Sequence, residues 1–334
     1  MCGLPLLLLS LCEQGPQLRV GVIGTGCIGL EHLRNLHLLP DATVVAIADP
    51  HEPSRKKAES CLSSLGDLEG VEVLSDYLAL LQLPNVDAVV LCTPNDHHAT
   101  ALPAIVESGK HCLVEKPLCT TIADCARAEH MIRTACEAAR ARGKRPPVFW
   151  CGMEYRYIPS IHRLVKEASE GVVGELRMLS IREHRFPFLR KVGDWNRFNE
   201  RTGGTLVEKC CHFFDLMRLI LQSEPHRIMA IGAQDVNFVG EQYDGRAADV
   251  IDNAYEEISL VGTSGKLEAF SPSHGTKTDD ESEVCVINFR RGLRNPALFQ
   301  GEWDLSEPPS PEECGSLQES HEAVSAELLE AGNH

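Results

Sequence analysis

Three groups of residues have the types and spacing that chemistry needs. The first is Glu115-Lys116-Pro117, which closes the apolar run His111 to Val114. Desolvation at the mouth of a crevice lowers the pKa of a Lys, and such an amine can exchange protons with a hydroxyl. Pro117 keeps Lys116 away from helical geometry. X-Pro bonds are the ones whose cis form costs little, about 0.5–1 kcal/mol, and a cis Lys116–Pro117 bond is expected. The plain alternative is a strand-end Lys paired with Glu115. The second group is Glu208 and His212, four apart in a stretch, Leu206 to Leu221, that reads as one apolar helix. They would share a face, with Asp215 further along the same stripe. A carboxylate and a His so placed can act as an orienting acid and a proton-transfer base. The plain alternative is a capped helix with a satisfied core His. The third group is Gly24, Gly26 and Gly29, spaced G-x-G-x-x-G between the strand-like Val20 to Ile23 and the helical spacing of Ile28, Leu33 and Leu36. Gly24 allows a tight turn, Gly26 lets backbone approach a pyrophosphate at the helix N-terminus, and Gly29 lets helix and strand pack closely. Asp49 ends the next strand, Val44 to Ala48, twenty residues after Gly29. A dinucleotide fold places there the carboxylate that holds the adenosine ribose hydroxyls.

The elements that must position these groups alternate. Helices are expected at Cys27–Leu38, Pro53–Leu65, Asp76–Leu83, Asp96–Ser108 (kinked at Pro103) and Ile122–Arg140. Strands are expected at Val71–Leu74, Val86–Cys92, His111–Val114 and Val148–Cys151. Such alternation implies a doubly wound parallel sheet of Rossmann type, with its ligand crevice at the carboxyl ends of the strands. Asp49, Thr93-Pro94-Asn95 and Glu115-Lys116-Pro117 all fall at such ends. Beyond Gly152 the pattern is a helix at Tyr157–Ala168, a long strand at Glu175–Phe186, the helix at Leu206–Leu221, a strand at Arg227–Val239 and two strands around Gly262–Gly265. This is an α+β domain with an open mixed or antiparallel sheet. The expected organisation is a loose leader at 1–17, a dinucleotide-binding domain at 18–151, a substrate and oligomerisation domain at 152–300 and an acidic disordered tail at 301–334.

Composition narrows the partners. The chain carries 48 acidic against 32 basic residues among 334, a net charge of −16, which argues against nucleic acid and anionic membranes. From Gln300 to His334 there are nine acids and no Lys or Arg. No apolar run has spanning length, and Leu4 to Leu11 lacks the basic flank of a secretion signal. The 14 Cys include no C-x-x-C pair, so they read as reduced thiols of a cytoplasmic protein. His97-His98 opens a helix and reads as a cap or surface feature. No metal is expected.

Together the motifs resemble the Gfo/Idh/MocA family of NAD(P)-dependent oxidoreductases, typified by glucose-fructose oxidoreductase and inositol dehydrogenase. The resemblance runs from Leu18 to Asn253. It rests on Gly-Val-Ile-Gly-Thr-Gly-Cys-Ile-Gly, on Thr93-Pro94-Asn95 with His98, on Glu115-Lys116-Pro117, and on Gly203-Gly204 through His212 to Asp215. It implies that Lys116 and His212 flank the carbon that gives up hydride, either being the base. It makes Glu208 the acidic partner, where many members carry Asp. Coenzyme would be held by Gly24, Gly26, Cys27, Ile28, Gly29, Asp49, Thr93, Pro94, Asn95, His98, Glu115 and Lys116. That coenzyme is NAD, with NADP the alternative. Arg156, Arg182, His184, Trp195, Asn196 and Arg197 lie near or between the motifs and are expected to line a sugar, cyclitol or polyol site. Two departures mark the second domain. Ala254-Tyr255 runs straight into Glu256-Glu257, where relatives insert about two strands, and the final helices give way to the acidic tail. A shortened sheet leaves unpaired edges. It raises a second reading, an inactive dinucleotide-binding sensor or partner protein. It also makes the second domain the expected limit on stability and a surface for self-association, and residues 18–150 alone the part expected to stay soluble and bind NAD.

Overall fold

The computed structural model describes residues 17–185, 188–228, 238–249, 254–263, 265–270 and 286–291. The expected leader (save Gln17) and the acidic tail lie outside them. Among the described residues no helix is long and apolar enough to cross a membrane.

The chain divides into two compact units. The first comprises the described residues of Met1–Glu154, Phe188–His212 and Ile231–Ile251. Its frame is a six-stranded sheet of β1 (Leu18–Ile23), β2 (Ala42–Ala48), β3 (Glu72–Leu74), β4 (Ala88–Leu91), β5 (His111–Glu115) and β6 (Phe149–Gly152). The order is β3-β2-β1-β4-β5-β6 and every pairing is parallel. Between the strands run α1 (Cys27–His37), α2 (Glu52–Leu65), α3 (Tyr77–Leu81), α4 (Asn95–Ser108) and α5 (Ile122–Ala141). Continuous apolar strands are what a sheet covered on both faces requires. Val20, Val22, Ile47 and Leu33 pack in one buried cluster, and Ile23, Leu91, Leu102 and Ile105 in another. The helix α4 does contain Pro103.

The segment that returns to this unit carries α7 (Asn199–Thr202) and α8 (Thr205–Glu208). It is tied to the frame by Asn95 Nδ2, which donates to Thr202 O at 3.3 Å, and by Arg201 on Asp96 at 2.9 Å. A two-stranded ribbon, β8 (Gln242–Tyr243) and β9 (Arg246–Ala247), joins it through Asn199, whose N–H donates to Asp249 Oδ1 at 2.7 Å.

The second unit comprises the described residues of Tyr155–Pro187, Phe213–Ala230 and Asp252–His334. Its sheet is antiparallel, in the order β12 (Val286–Arg291), β11 (Gly265–Phe270), β10 (Ala254–Gly262), β7 (Leu176–Arg185). The helix α6 (Pro159–Ser169) presents Ile161, Leu164 and Ala168 to a core shared with Leu216 and Ile220 of α9 (Cys211–Leu221). The strand expected at Arg227–Val239 falls largely on 229–237, outside the described residues; 226–228 and 238–240 are not strand.

The expected single helix at Leu206–Leu221 is broken into α8 and α9. Lys209 N and Cys210 N both donate to Thr205 O, at 3.0 and 3.1 Å, so the turn takes in an extra residue before α9 starts. That insertion ends the i, i+4 relation between Glu208 and His212.

Candidate active site

The glycine turn has the shape a dinucleotide needs. Gly24 has φ +87°, and a Cβ there would lie 2.7 Å from the Cys92 carbonyl. At Gly29 a Cβ would lie 2.1 Å from Gly24 O, so only Gly lets α1 close onto the turn. At Gly26 a Cβ would meet nothing within 4 Å among the described residues: the backbone there faces open space beside them. Gly26 also precedes the first turn of α1, where among the described residues no side chain caps the amides and no acid sits. Open space beside uncapped amides is what a pyrophosphate requires.

Asp49, at the end of β2, is fixed by its neighbours. Its Oδ2 accepts from Thr25 N at 2.7 Å and its Oδ1 from His51 N at 2.8 Å. The nearby cations are engaged: Arg55 Nη1 donates to Asp49 O at 2.5 Å, and Lys56 pairs with Glu52 at 2.6 Å. A ribose 2′-phosphate would meet a held carboxylate with little compensation. NAD is therefore expected to bind more tightly than NADP, and titration of both showing the reverse order would overturn this.

Lys116 stands where β5 ends, and the Lys116–Pro117 bond is cis. Its Nζ donates to Glu208 O at 2.9 Å. His98 corrects the expectation of a surface residue. It is 1% exposed, with Nδ1 2.9 Å from Pro117 O and Nε2 3.1 Å from Thr93 O, so it ties the turns after β4 and β5 together.

The acidic partner of His212 is also corrected. His212 is buried, and its Nε2 lies 3.2 Å from Glu154 Oε1, just beyond β6. Glu208, also buried, contributes its main-chain oxygen to Lys116 instead. Asp215 follows His212 by three residues in α9 and so lies on the same side of that helix, as expected. It takes a two-toothed ion pair from Arg156, Nε to Oδ2 at 2.6 Å, within the second unit. That pair occupies the guanidinium expected at a sugar. Asn196 is likewise spent on its own loop: Oδ1 accepts from Lys191 N at 3.2 Å and Nδ2 donates to Leu189 O at 2.8 Å. Trp195 is buried, with the Lys191 ammonium 5.0 Å from its ring centroid. Arg197 is buried and donates to Phe188 O at 2.7 Å. The side chain of His184 lies outside the described residues.

Electrostatics assigns protons within this cluster. Burial pulls the Lys116 ammonium down, but Cys211, Glu154, Glu208 and Glu115 outweigh it and hold its pKa above the ordinary Lys value. The expected lowering is thus reversed, because the Cys211 sulfur and three carboxylates surround the amine. Burial would raise Glu154, yet the His212 hydrogen bond and the Lys116 charge bring it to about 2. Burial lowers His212, against the pull of Glu154. At neutral pH the cluster is an ammonium, a carboxylate and a neutral imidazole, all within the first unit. Glu154 escaped the sequence reading, although it follows Gly152 at the carboxyl end of a parallel strand, where such folds place ligands.

Comparison with known proteins agrees with this architecture. Residues 18–140 match the oxidoreductase family with an NAD-binding Rossmann fold (Gfo/Idh/MocA), and residues 166–290 match its C-terminal alpha/beta domain. The chain belongs to the Gfo/Idh/MocA family, and it is an NAD-binding oxidoreductase. A myo-inositol 2-dehydrogenase of Thermotoga maritima is 27% identical over 285 residues, 81% of this chain and 78% of that protein. An inositol 2-dehydrogenase of Paracoccus denitrificans is 32% identical over 208 residues, 62% of this chain and 55% of that protein. Among solved structures, a probable dehydrogenase from Thermotoga maritima superposes with TM-score 0.61 at 25% identity, over 82% of this chain and 81% of that one. A scyllo-inositol dehydrogenase from Lactobacillus casei, solved with NAD(H) and scyllo-inositol, shares the fold with TM-score 0.59 at 19% identity, over 75% and 76%.

Proposed function

We propose that the protein is an NAD-dependent dehydrogenase of a cyclitol or closely related polyol, acting on a secondary hydroxyl. The observation that carries this reading is the pairing of Lys116, held on Glu208 O at 2.9 Å, with His212, held on Glu154 at 3.2 Å. Relatives named inositol 2-dehydrogenases support the substrate class. NAD, when bound at the glycine turn, supplies the hydride acceptor. Gly24, Gly26, Cys27, Ile28 and Gly29 would hold its pyrophosphate and Asp49 its ribose. Thr93, Pro94, Asn95, Glu115 and Lys116 would border the nicotinamide, with His98 tying their two turns.

Of the two candidates for base, His212 fits better. A neutral imidazole can take the hydroxyl proton, whereas Lys116 is already protonated. The Lys116 ammonium then stabilises the oxygen as it becomes negative, and Glu154 stabilises the imidazolium that results. Nothing in the comparisons favours an inactive sensor, and the charge arrangement gives the enzyme its parts. The test is NAD reduction with myo-inositol, scyllo-inositol and a panel of linear polyols. NAD binding without turnover of any of them would overturn the proposal.

The same assignment fixes a pH profile. For oxidation His212 must be neutral, so kcat/KM falls on the acid side through a pKa below the usual 6.5. Lys116 must stay charged, so the alkaline limb lies above 10.5. Glu154 raises both values, so Glu154→Gln should move both limbs to lower pH. Limbs that do not move in that variant would remove Glu154 from the site.

A further inference from the structure

The turn that carries Lys116 is reached from α1 as well as from α4. His32 lies one turn beyond Gly29 on α1 and is 4% exposed. Its Nε2 is 2.7 Å from Glu115 Oε1. The other oxygen, Oε2, accepts the main-chain N–H of Lys116 at 3.1 Å. Gly152 of β6 lies opposite Glu115, and a Cβ there would lie 3.4 Å from Glu115 Cδ and Oε1, at van der Waals contact, so β6 packs directly beside the carboxylate. Among the described residues His32 Nδ1 is buried without a hydrogen-bond partner. A buried ring nitrogen left unpaired lowers stability relative to an apolar side chain of similar shape. What the imidazole does supply is the Nε2–H that orients Glu115.

We propose that His32 is a positioning residue: through Glu115 it fixes the backbone of Lys116, linking the helix whose N-terminus faces the coenzyme to the ammonium of the reaction centre. A carboxylate held at one oxygen has its other oxygen aimed, so the Lys116 amide acquires a fixed acceptor. Freed from His32, the Glu115 side chain can rotate and release that amide. The catalytic consequence rests on the function proposed above, but the structural claim does not.

Two variants and two readouts test it. His32→Leu fills the space without a donor, and His32→Gln restores an N–H near the position of Nε2. In the coenzyme-free protein, hydrogen exchange of the Lys116 amide, followed by NMR, should speed up tenfold or more in His32→Leu and return toward wild type in His32→Gln. On a confirmed polyol, kcat should fall about tenfold or more in His32→Leu with the KM for NAD within twofold, and recover in His32→Gln. Unchanged Lys116 exchange in His32→Leu would overturn the proposal. So would a faster exchange that His32→Gln fails to restore. If no polyol is turned over by the wild-type protein, the dehydrogenase reading fails while amide exchange still decides this one.

Discussion

Replacing Lys116 or His212 with Ala lowers kcat on a confirmed polyol by about a hundredfold or more, the loss expected when a general acid or base is removed. NAD binding changes little, because the glycine turn and Asp49 are untouched. The two losses have different origins. Without His212 the hydroxyl proton has no neutral acceptor beside Glu154. Without Lys116 the developing oxyanion loses its cation, and Glu208 O loses its donor. Because emptying a buried charged cluster also affects folding, His212→Gln belongs beside His212→Ala. Gln can donate to Glu154 but cannot accept a proton at this pH, so it should be as slow as Ala while unfolding near the wild-type temperature. Near-normal turnover in any of these variants would strip the residue of its role.

The second large effect separates two glycines three residues apart. Gly29→Ala puts a methyl 2.1 Å from a backbone oxygen that cannot move without opening the turn. Overpacking of this kind costs about 1–3 kcal/mol or more, and both stability and NAD affinity should drop. Gly26→Ala meets nothing within 4 Å among the described residues, and its φ of −70° suits any residue. Its stability should stay within about 0.5 kcal/mol of wild type. Its NAD affinity should fall by about tenfold or more, near 1.4 kcal/mol, because the added methyl occupies the space a pyrophosphate enters. Thermal unfolding and NAD titration of both variants check this, and a Gly26→Ala protein that binds NAD normally would contradict the reading of the turn.

The Rossmann frame and its turns were legible because they are local. The glycines, Asp49 and Glu115-Lys116-Pro117 sit at strand ends that apolar runs mark on their own. The partner of His212 was not legible, for two reasons. The break at Lys209 and Cys210 depends on both amides choosing Thr205 O, and no Pro or Gly announces it. Glu154 lies 58 residues before His212 in sequence, and no periodicity links the end of β6 to the start of α9. Asn196 and Arg156 misled for the opposite reason: polar residues near motifs look available until their loop and ion-pair partners are known. The strong signals described the scaffold, and the weak ones concerned which polar groups satisfy each other inside it.

The discontinuity of the first unit gives the protein a history on the ribosome. Its coenzyme turn and Lys116 precede Glu154, yet Glu208, His212 and the ribbon ending near Asp249 come later, after a stretch that belongs to the other unit. Chains elongate at about 5–20 residues per second, so the 58 residues from Glu154 to His212 take roughly 3–12 s to appear. During that interval the nascent chain already carries the glycine turn and the Lys116 ammonium, but neither the imidazole nor the carbonyl that completes its setting. Coenzyme recognition can therefore be born before catalysis, and NAD present during synthesis would meet its half of the enzyme first.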